Sequence, residues 1–393
     1  MVMFPLGINS FDLFNSIVSN MKLVIDSKIP FIRGFAELLG ETVYLPGADI
    51  TSADVRDADV MIIRTRTHCN RQLLEGSTVK FVATATIGYD HIDTDYLREA
   101  GISWTNCPGC NAASVAQYVK CCLYRLALQG FLGISQQTIA SADKPFERLT
   151  LGIVGVGHVG TQVLRMAQQI GFKQVLLCDP PRAEQGGALP HGAAPQKFVS
   201  LSEVAQRADI ITFHTPLTRE PVAHPTYHMA DAAFFAQVKP TAVIINSSRG
   251  EVVDTLALKS ALRQGKIRAA IIDTWEHEPG IDPELLQQAF IATPHIAGYS
   301  ADGKANGTRM SLQAVAHHFG IDPSPFAAVS APALPKGFSY FSESLEQLPT
   351  DVAPAIREAL RLYDPLRDSL ALKQHPDQFE RLRGNYPLRR EKA

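Results

Sequence analysis

The chain lacks most of what would commit it to a membrane, a nucleic acid or a metal. No apolar run in its 393 residues reaches the ~18 that a spanning helix needs. Net charge is only −2, from 37 Lys and Arg against 39 Asp and Glu. So even a balance argues against a nucleic-acid footprint and against a membrane-surface protein. Any anionic substrate must therefore be met by local arginines. Residues 1–20 contain no Lys or Arg and so lack the charged start of a secretory signal. They read as an extension ahead of a strand-like MKLVID at 21–26, and the context reads as cytoplasmic. Six cysteines include a CxxC at Cys107 and Cys110, but no second pair stands at ligand spacing, so no metal site is expected. Cys121 and Cys122 lie on an apolar helical stretch and read as core.

What is present is an ordinary globular composition, 46% apolar and 19% charged, in a chain long enough for two or three domains. One stretch organises it. An apolar run at 149–154 is followed by Gly155, Gly157 and Gly160, a helical pattern, a second apolar run and Asp179. Gly155 permits a tight turn off the strand, Gly157 lets the backbone approach a pyrophosphate, and Gly160 lets the helix pack close to the strand. The helix N-terminus then offers free N–H groups to phosphates. Asp179, 19 residues past Gly160, is placed to accept hydrogen bonds from ribose hydroxyls. An acid there favours NAD over NADP, because it repels a 2′-phosphate. Arg182, three residues on, is the nearby cation that a phosphate could use instead.

The rest reads as strands alternating with helical patterns, which predicts an α/β fold with parallel sheets. Residues 21–110 read as a small α/β unit, completed by about 296–319 with a helix near 305–319. Residues 111–295 hold the NAD-binding Rossmann domain. Residues 30–40 are expected as an amphipathic helix, 129–148 as an exposed loop, 180–195 as a surface excursion and 320–335 as a linker. Residues 336–393 make a third segment with a basic end, which reads as a solvated tail.

Strand after strand delivers a polar residue just past its C-terminal end, where such sheets bind ligands. Hydride transfer is the first chemistry an NAD site suggests. Oxidising a secondary alcohol needs a base, and histidine titrates near working pH. A carboxylate orients the ring, and an arginine holds a substrate carboxylate bidentately. Arg249, Glu278 and His295 each follow a strand pattern and supply these three groups. Arg64 and Arg66 flank Thr65 at another strand end, giving cations and a hydroxyl suited to a phosphate. Surface ion pairing is the alternative use of those arginines.

The fingerprint, HTPL at 214–217, SRGEVVD at 248–254, DTWEHEP at 273–279 and PHIAGY at 294–299 together resemble the D-isomer-specific 2-hydroxyacid dehydrogenase family. That resemblance implies an NAD-binding Rossmann domain inserted into a smaller, flavodoxin-like α/β substrate domain, with the site in the cleft. It implies His295 as acid/base, Glu278 as its partner and Arg249 as the anchor for the substrate carboxylate. RTRT at 64–67, ATATIGYDHID at 83–93, PGCNA at 108–112, LLCDPPRA at 176–183, AGYSADGKANGT at 297–308 and a C-terminal FxxLRxNY with RRE are similar to the erythronate-4-phosphate dehydrogenase branch. This branch implies oxidation of 4-phospho-D-erythronate to its 2-oxo acid in pyridoxal 5′-phosphate synthesis. It implies cofactor contacts at His158, Val159, Asp179, Thr215, Asp273 and Gly298, and substrate contacts at Thr65, Thr86 and Tyr299. It also implies a small C-terminal α+β segment used for homodimerisation. The chain departs from that pattern in residues 1–20, in longer loops on either side of the fingerprint unit, in Ile87 and Tyr89 beside Thr86, and in a C-terminus that stops soon after Arg390. Two other readings stay open: a dehydrogenase for another small acid, such as 3-phosphoglycerate or hydroxypyruvate, and an NAD-sensing protein without turnover.

Overall fold

A computed structural model describes residues 21–141, 144–190, 196–340, 348, 352–387 and 389–391. The expected extension at 1–20 lies outside the described residues. The chain divides into two compact units, residues 1–111 with 301–333 and residues 112–300 with 334–393.

The first unit is built on a five-stranded parallel sheet in the order β2-β1-β3-β4-β5. The strands are β1 (Lys22–Asp26), β2 (Glu41–Leu45), β3 (Val60–Ile63), β4 (Phe81–Thr84) and β5 (Ser103–Thr105). Strands buried on both faces read as continuous apolar runs, and the pleat divides them. Leu23, Ile25, Ile62 and Ala83 pack with Leu312, Val315 and Ala316 of the returning helix Ala301–His318. Val24, Met61, Ile63 and Val82 face the opposite layer with Val55, Leu73 and Leu97. The three-residue β5 escaped the sequence reading because it is too short to show alternation. The amphipathic helix expected at 30–40 does not form. Phe31 at φ 62° and Gly34 at φ 84° break the run, leaving a 3₁₀ turn at Ala36–Leu38. The expected linker at 320–335 carries a 3₁₀ turn, Ser324–Ala328, that buries Phe326.

The second unit carries a six-stranded parallel sheet in the order β11-β10-β9-β8-β6-β7. The strands are β6 (Thr150–Val154), β7 (Gln174–Cys178), β8 (Ile210–Phe213), β9 (Val243–Asn246), β10 (Ala269–Ile272) and β11 (Ile291–Ala292). The order reverses at β6, whose neighbours are β7 and β8. A doubly wound sheet opens its ligand crevice beyond the strand C-termini at such a point. Helix α1 (Ala112–Leu128) is apolar almost all round and buries 14 of its 17 residues, as such a helix must. Helix α2 (His158–Gln169) follows the fingerprint.

Two stretches expected at the surface are part of this core. Within 129–148, Ile139 and Phe146 are buried, and the Phe146 ring stacks on Phe172 at 5.1 Å. The C-terminal segment does not stand apart. Its helices α3 (Pro354–Leu362), α4 (Pro365–Gln374) and α5 (Phe379–Gly384) accompany one isolated bridge, Ser300 to Arg389. Tyr340, Ile356, Leu360 and Tyr363 join the core cluster of α1. Nor is the basic end a solvated tail, since Arg389 is 1% exposed.

Arg125 of α1 reaches Asp364, the N-cap of α4, donating from Nε to Oδ1 at 2.9 Å and from Nη2 to Oδ2. The two side chains are 3% and 0% exposed. Removing one partner of such a pair strands the other charge in a dry site. Asp364→Asn or Arg125→Met should therefore cost about 3–5 kcal/mol in urea denaturation, and replacing both by apolar residues should cost clearly less. Additive losses in the double variant would show that the pair is not what holds α1 to α4.

Candidate active site

The crevice begins with the fingerprint glycines. Gly155 sits at φ +87°, and a Cβ there would come within 2.7 Å of the His214 carbonyl carbon. At Gly160 a Cβ would meet the Gly155 carbonyl oxygen at 2.1 Å, so neither position takes a side chain without moving backbone. Gly157 is different: no atom lies within 4 Å of a Cβ built there, and it is the N-cap of α2. The open side of that turn therefore leaves room for phosphates against the first turn, where His158 and Val159 sit. Asp179 at the end of β7 accepts from the N–H of Val156 at 2.8 Å and of Arg182 at 3.1 Å, which leaves lone pairs for ribose hydroxyls. Arg182 places Nε 3.7 Å from Asp179 Oδ2 and donates to the Ala188 carbonyl. The cation that a 2′-phosphate could have used thus pairs with the acid instead. Beyond β8, β9 and β10, the hydroxyls of Thr215, Ser247 and Thr274 are buried with no hydrogen-bond partner. Buried polar groups without partners are costly. Three of them, on consecutive strand ends of the sheet that carries the fingerprint, fit a polar dinucleotide.

Arg249, Glu278 and His295 follow β9, β10 and β11, which are successive neighbours in the sheet. Adjacent parallel strands therefore bring together residues distant in sequence. Gly250 makes the Arg249 turn possible, because a Cβ there would lie 2.0 Å from the carbonyl carbon and oxygen of Trp275. Asn246 donates to the Arg249 carbonyl at 2.9 Å, and the Arg249 guanidinium donates to the Ser248 carbonyl.

Glu278 is held by the Trp275 N–H at 2.9 Å and by His295 Nδ1 at 2.8 Å. Burial alone would raise its carboxyl. Hydrogen bonds from His295 and Trp275, with the charges of His295 and Arg383, bring it below the ordinary carboxylate range. An ionised Glu278 only accepts, so Nδ1 carries a proton and Nε2 is left to exchange one. His295 is 27% exposed against 17% for Glu278. The other glutamate of the WEHEP run, Glu276, is committed elsewhere: it binds His228 Nε2 at 2.6 Å and the Thr255 N–H.

His295 has φ 54°, a left-handed conformation that a non-glycine residue keeps only when its surroundings impose it. Asp273 imposes much of it. Its carboxylate accepts from the N–H of Ile296 at 2.8 Å and of Ala297 at 2.9 Å, and from the Thr293 hydroxyl at 2.7 Å. Its carbonyl takes the His295 N–H. Asp273, expected as a cofactor contact, thus has both carboxylate oxygens engaged by the histidine loop. Gly298 lies in the turn closed by the Tyr299 N–H on the Ile296 carbonyl. Tyr299 meets the ring of Tyr386 edge-on at 6.1 Å.

In the first unit, Arg64 and Thr65 follow β3 and Thr86 follows β4. The register pairs Ile63 with Thr84, so these ends are side by side. Arg64 donates to the Lys28 carbonyl at 3.0 Å, and Thr65 is exposed. Thr86 is tied into a chain of hydroxyls, 2.6 Å from Thr84 Oγ1 and donating to the Gly88 carbonyl.

Sequence reasoning missed two groups of the C-terminal segment. Arg389 donates to the carbonyls of Ile296 at 3.1 Å and Ala297 at 2.6 Å. Arg383 places Nη1 3.7 Å from Glu278 Oε2. The only available signal was the spacing of arginines among apolar residues, which a solvated tail does not need.

The family model for the NAD-binding domain of D-isomer-specific 2-hydroxyacid dehydrogenases matches residues 133–297. Over 374 residues the chain is 50% identical to the erythronate-4-phosphate dehydrogenase of Bacteroides fragilis, covering 95% of this chain and 98% of that one. The corresponding enzyme of Bacteroides thetaiotaomicron is 48% identical over 94% of this chain and 97% of its own length. Among solved structures, a D-lactate dehydrogenase from Aquifex aeolicus complexed with NAD and lactic acid superposes with a TM-score of 0.57. It is 25% identical and covers 80% of this chain and 99% of its own. Half identity along nearly the whole length, on a crevice that fits NAD, settles descent: the chain belongs to the erythronate-4-phosphate dehydrogenases, within the NAD-dependent D-isomer-specific 2-hydroxyacid dehydrogenase family.

Proposed function

We propose that this chain oxidises the C2 hydroxyl of 4-phospho-D-erythronate to (R)-3-hydroxy-2-oxo-4-phosphooxybutanoate, a step in the route to pyridoxal 5′-phosphate. The observation that carries the chemistry is the 2.8 Å contact between His295 Nδ1 and Glu278, in a chain half identical to enzymes named for that substrate. When bound, NAD would supply the acceptor for the hydride of C2. His295 takes the hydroxyl proton at Nε2 while Glu278 steadies the imidazolium that results. Arg249 holds the substrate carboxylate and the carbonyl oxygen that develops beside it.

Gly155, Gly157, His158, Val159 and Gly160 would cradle the cofactor, Asp179 would meet its ribose, and Thr215, Asp273 and Gly298 would complete its site. Asp273 contributes there through the loop it holds. Arg64, Thr65 and Thr86 take the phosphate end of the substrate, a role suited to cations and hydroxyls at adjoining strand ends. Tyr299 adds a further hydroxyl to substrate recognition. The chain works in the cytoplasm, in keeping with six free cysteines and with the absence, among the described residues, of a helix able to cross a membrane. It works as a homodimer, through the C-terminal segment to which the family resemblance assigns dimerisation.

Removing the proton acceptor should be the most damaging single change. His295→Asn should lower kcat by ~10²–10⁴-fold with little effect on NAD binding, followed as absorbance at 340 nm; an unchanged rate would falsify the acid/base assignment. With a panel of acids, kcat/KM should favour 4-phosphoerythronate over 3-phosphoglycerate by at least on the order of 10-fold, and NAD over NADP by a similar factor. A preference for 3-phosphoglycerate would overturn the substrate reading. Sedimentation equilibrium should return twice the 42.9 kDa chain mass; a monomer at micromolar concentration would rule out the dimer.

A further inference from the structure

Arg383 lies on α5, in the segment that follows both sheets, yet its Nη1 is 3.7 Å from Oε2 of Glu278, the oxygen that also receives His295 Nδ1. Its side chain is 28% exposed, and Glu278 is 17% exposed. At such depth a guanidinium close to a carboxylate is weakly screened. Two cationic groups, one titrating and one permanent, therefore share one carboxylate oxygen.

We propose that Arg383 is a positioning residue of the hydride-transfer site, a fixed cation that shares Glu278 with His295 and so limits how strongly Glu278 can hold the imidazolium. The inference deepens the dehydrogenase reading and rests on it for its consequence in turnover.

Geometry gives the sign. Glu278 attracts the charged ring, and Arg383 opposes it, both by partly neutralising Glu278 and by direct repulsion. A base for alcohol oxidation must be free to accept a proton at working pH, and a carboxylate left unopposed would keep the ring protonated to higher pH. Arg383 thus sets the balance between an oriented ring and a ring that is already charged. The other groups facing this cluster do not take its place. Asp273 also interacts with the charge of His295, but its carboxylate is engaged by backbone N–H groups and Thr293 and is the same in every Arg383 variant. Tyr299 and Glu380 both act on Arg383, Tyr299 by a hydrogen bond and Glu380 by its charge. Both favour the charged guanidinium and keep it in place.

The test uses the full chain labelled at histidine, with the His295 resonance identified by its loss in His295→Asn. Its NMR titration is followed in wild type, Arg383→Met, Arg383→Gln and Arg383→Lys. In both neutral variants the midpoint should move to higher pH by on the order of half to one unit, and Arg383→Lys should stay near wild type. The acid limb of kcat/KM for oxidation should move the same way, whereas a merely structural role would scale the rate at every pH and leave the limb in place. The two neutral variants guard against misfolding of either one. An unshifted midpoint in whichever neutral variant keeps its wild-type melting profile, or failure of both neutral variants to fold while Arg383→Lys folds, would overturn the inference. A shifted midpoint in a protein that leaves 4-phosphoerythronate untouched would sink the substrate assignment and leave this one standing.

Discussion

The second unit depends on one short piece of backbone, the peptides of Ile296 and Ala297. Asp273 takes their two N–H groups and Arg389 takes their two carbonyls. All four hydrogen bonds involve a charged side chain, the stronger kind, and both side chains are buried. A loop at the end of a two-residue strand would ordinarily be among the more mobile parts of a fold. Here it is fixed through its N–H groups by one charge and through its carbonyls by the opposite one.

That clamp explains two otherwise unconnected features. His295 keeps a left-handed backbone that its own side chain does not favour, and a strained residue persists only where its neighbours over-determine it. The C-terminal segment, for its part, packs its apolar residues into the core of α1. It carries Arg389 to the loop, where Gln117 accepts from Nε and the Tyr363 ring lies beneath the guanidinium at 3.9 Å. The segment is thus bound at both levels, by apolar burial and by a charge that has no other place to go. Truncating it would remove a wall of the core and the Arg389 half of the clamp together.

Much of this was legible in the sequence. The fingerprint glycines announce their own geometry, because only a missing Cβ permits what Gly155 and Gly160 do. The residues after β9, β10 and β11 could be picked out because parallel strands deposit polar groups at one edge. Which glutamate of WEHEP serves His295 was open to pattern alone, since both lie past the same strand. Here the resemblance named Glu278, and Glu276 is found spent on His228 and a helix N-terminus. What remained illegible were relations without local periodicity. Nothing near Arg383 or Arg389 in the chain points to Glu278 or Ala297, some hundred residues away. A basic cluster near a terminus looks the same whether it is solvated or buried. Residues 30–40 failed for the opposite reason: the apolar spacing was helical, but Phe31 and Gly34 adopt positive φ and tertiary packing overrides the pattern.

Around His295 the two carboxylates have separate duties, and their environments separate them. Burial holds the Asp273 carboxyl above its usual range, while partners with mobile or fixed positive charge bring Glu278 below. Such divergence between neighbouring acids marks a division of roles. Asp273 spends its oxygens on backbone and fixes where the ring is. Glu278 gives its oxygens to the ring and to the Trp275 N–H and is the carboxylate that meets the ring itself. Each is matched by an arginine from the C-terminal segment, Arg389 across the backbone and Arg383 at the carboxylate. Position and protonation then lean on different pairs of groups, whereas with a single aspartate or glutamate beside the histidine a tighter hold on the ring would also be a stronger hold on the proton.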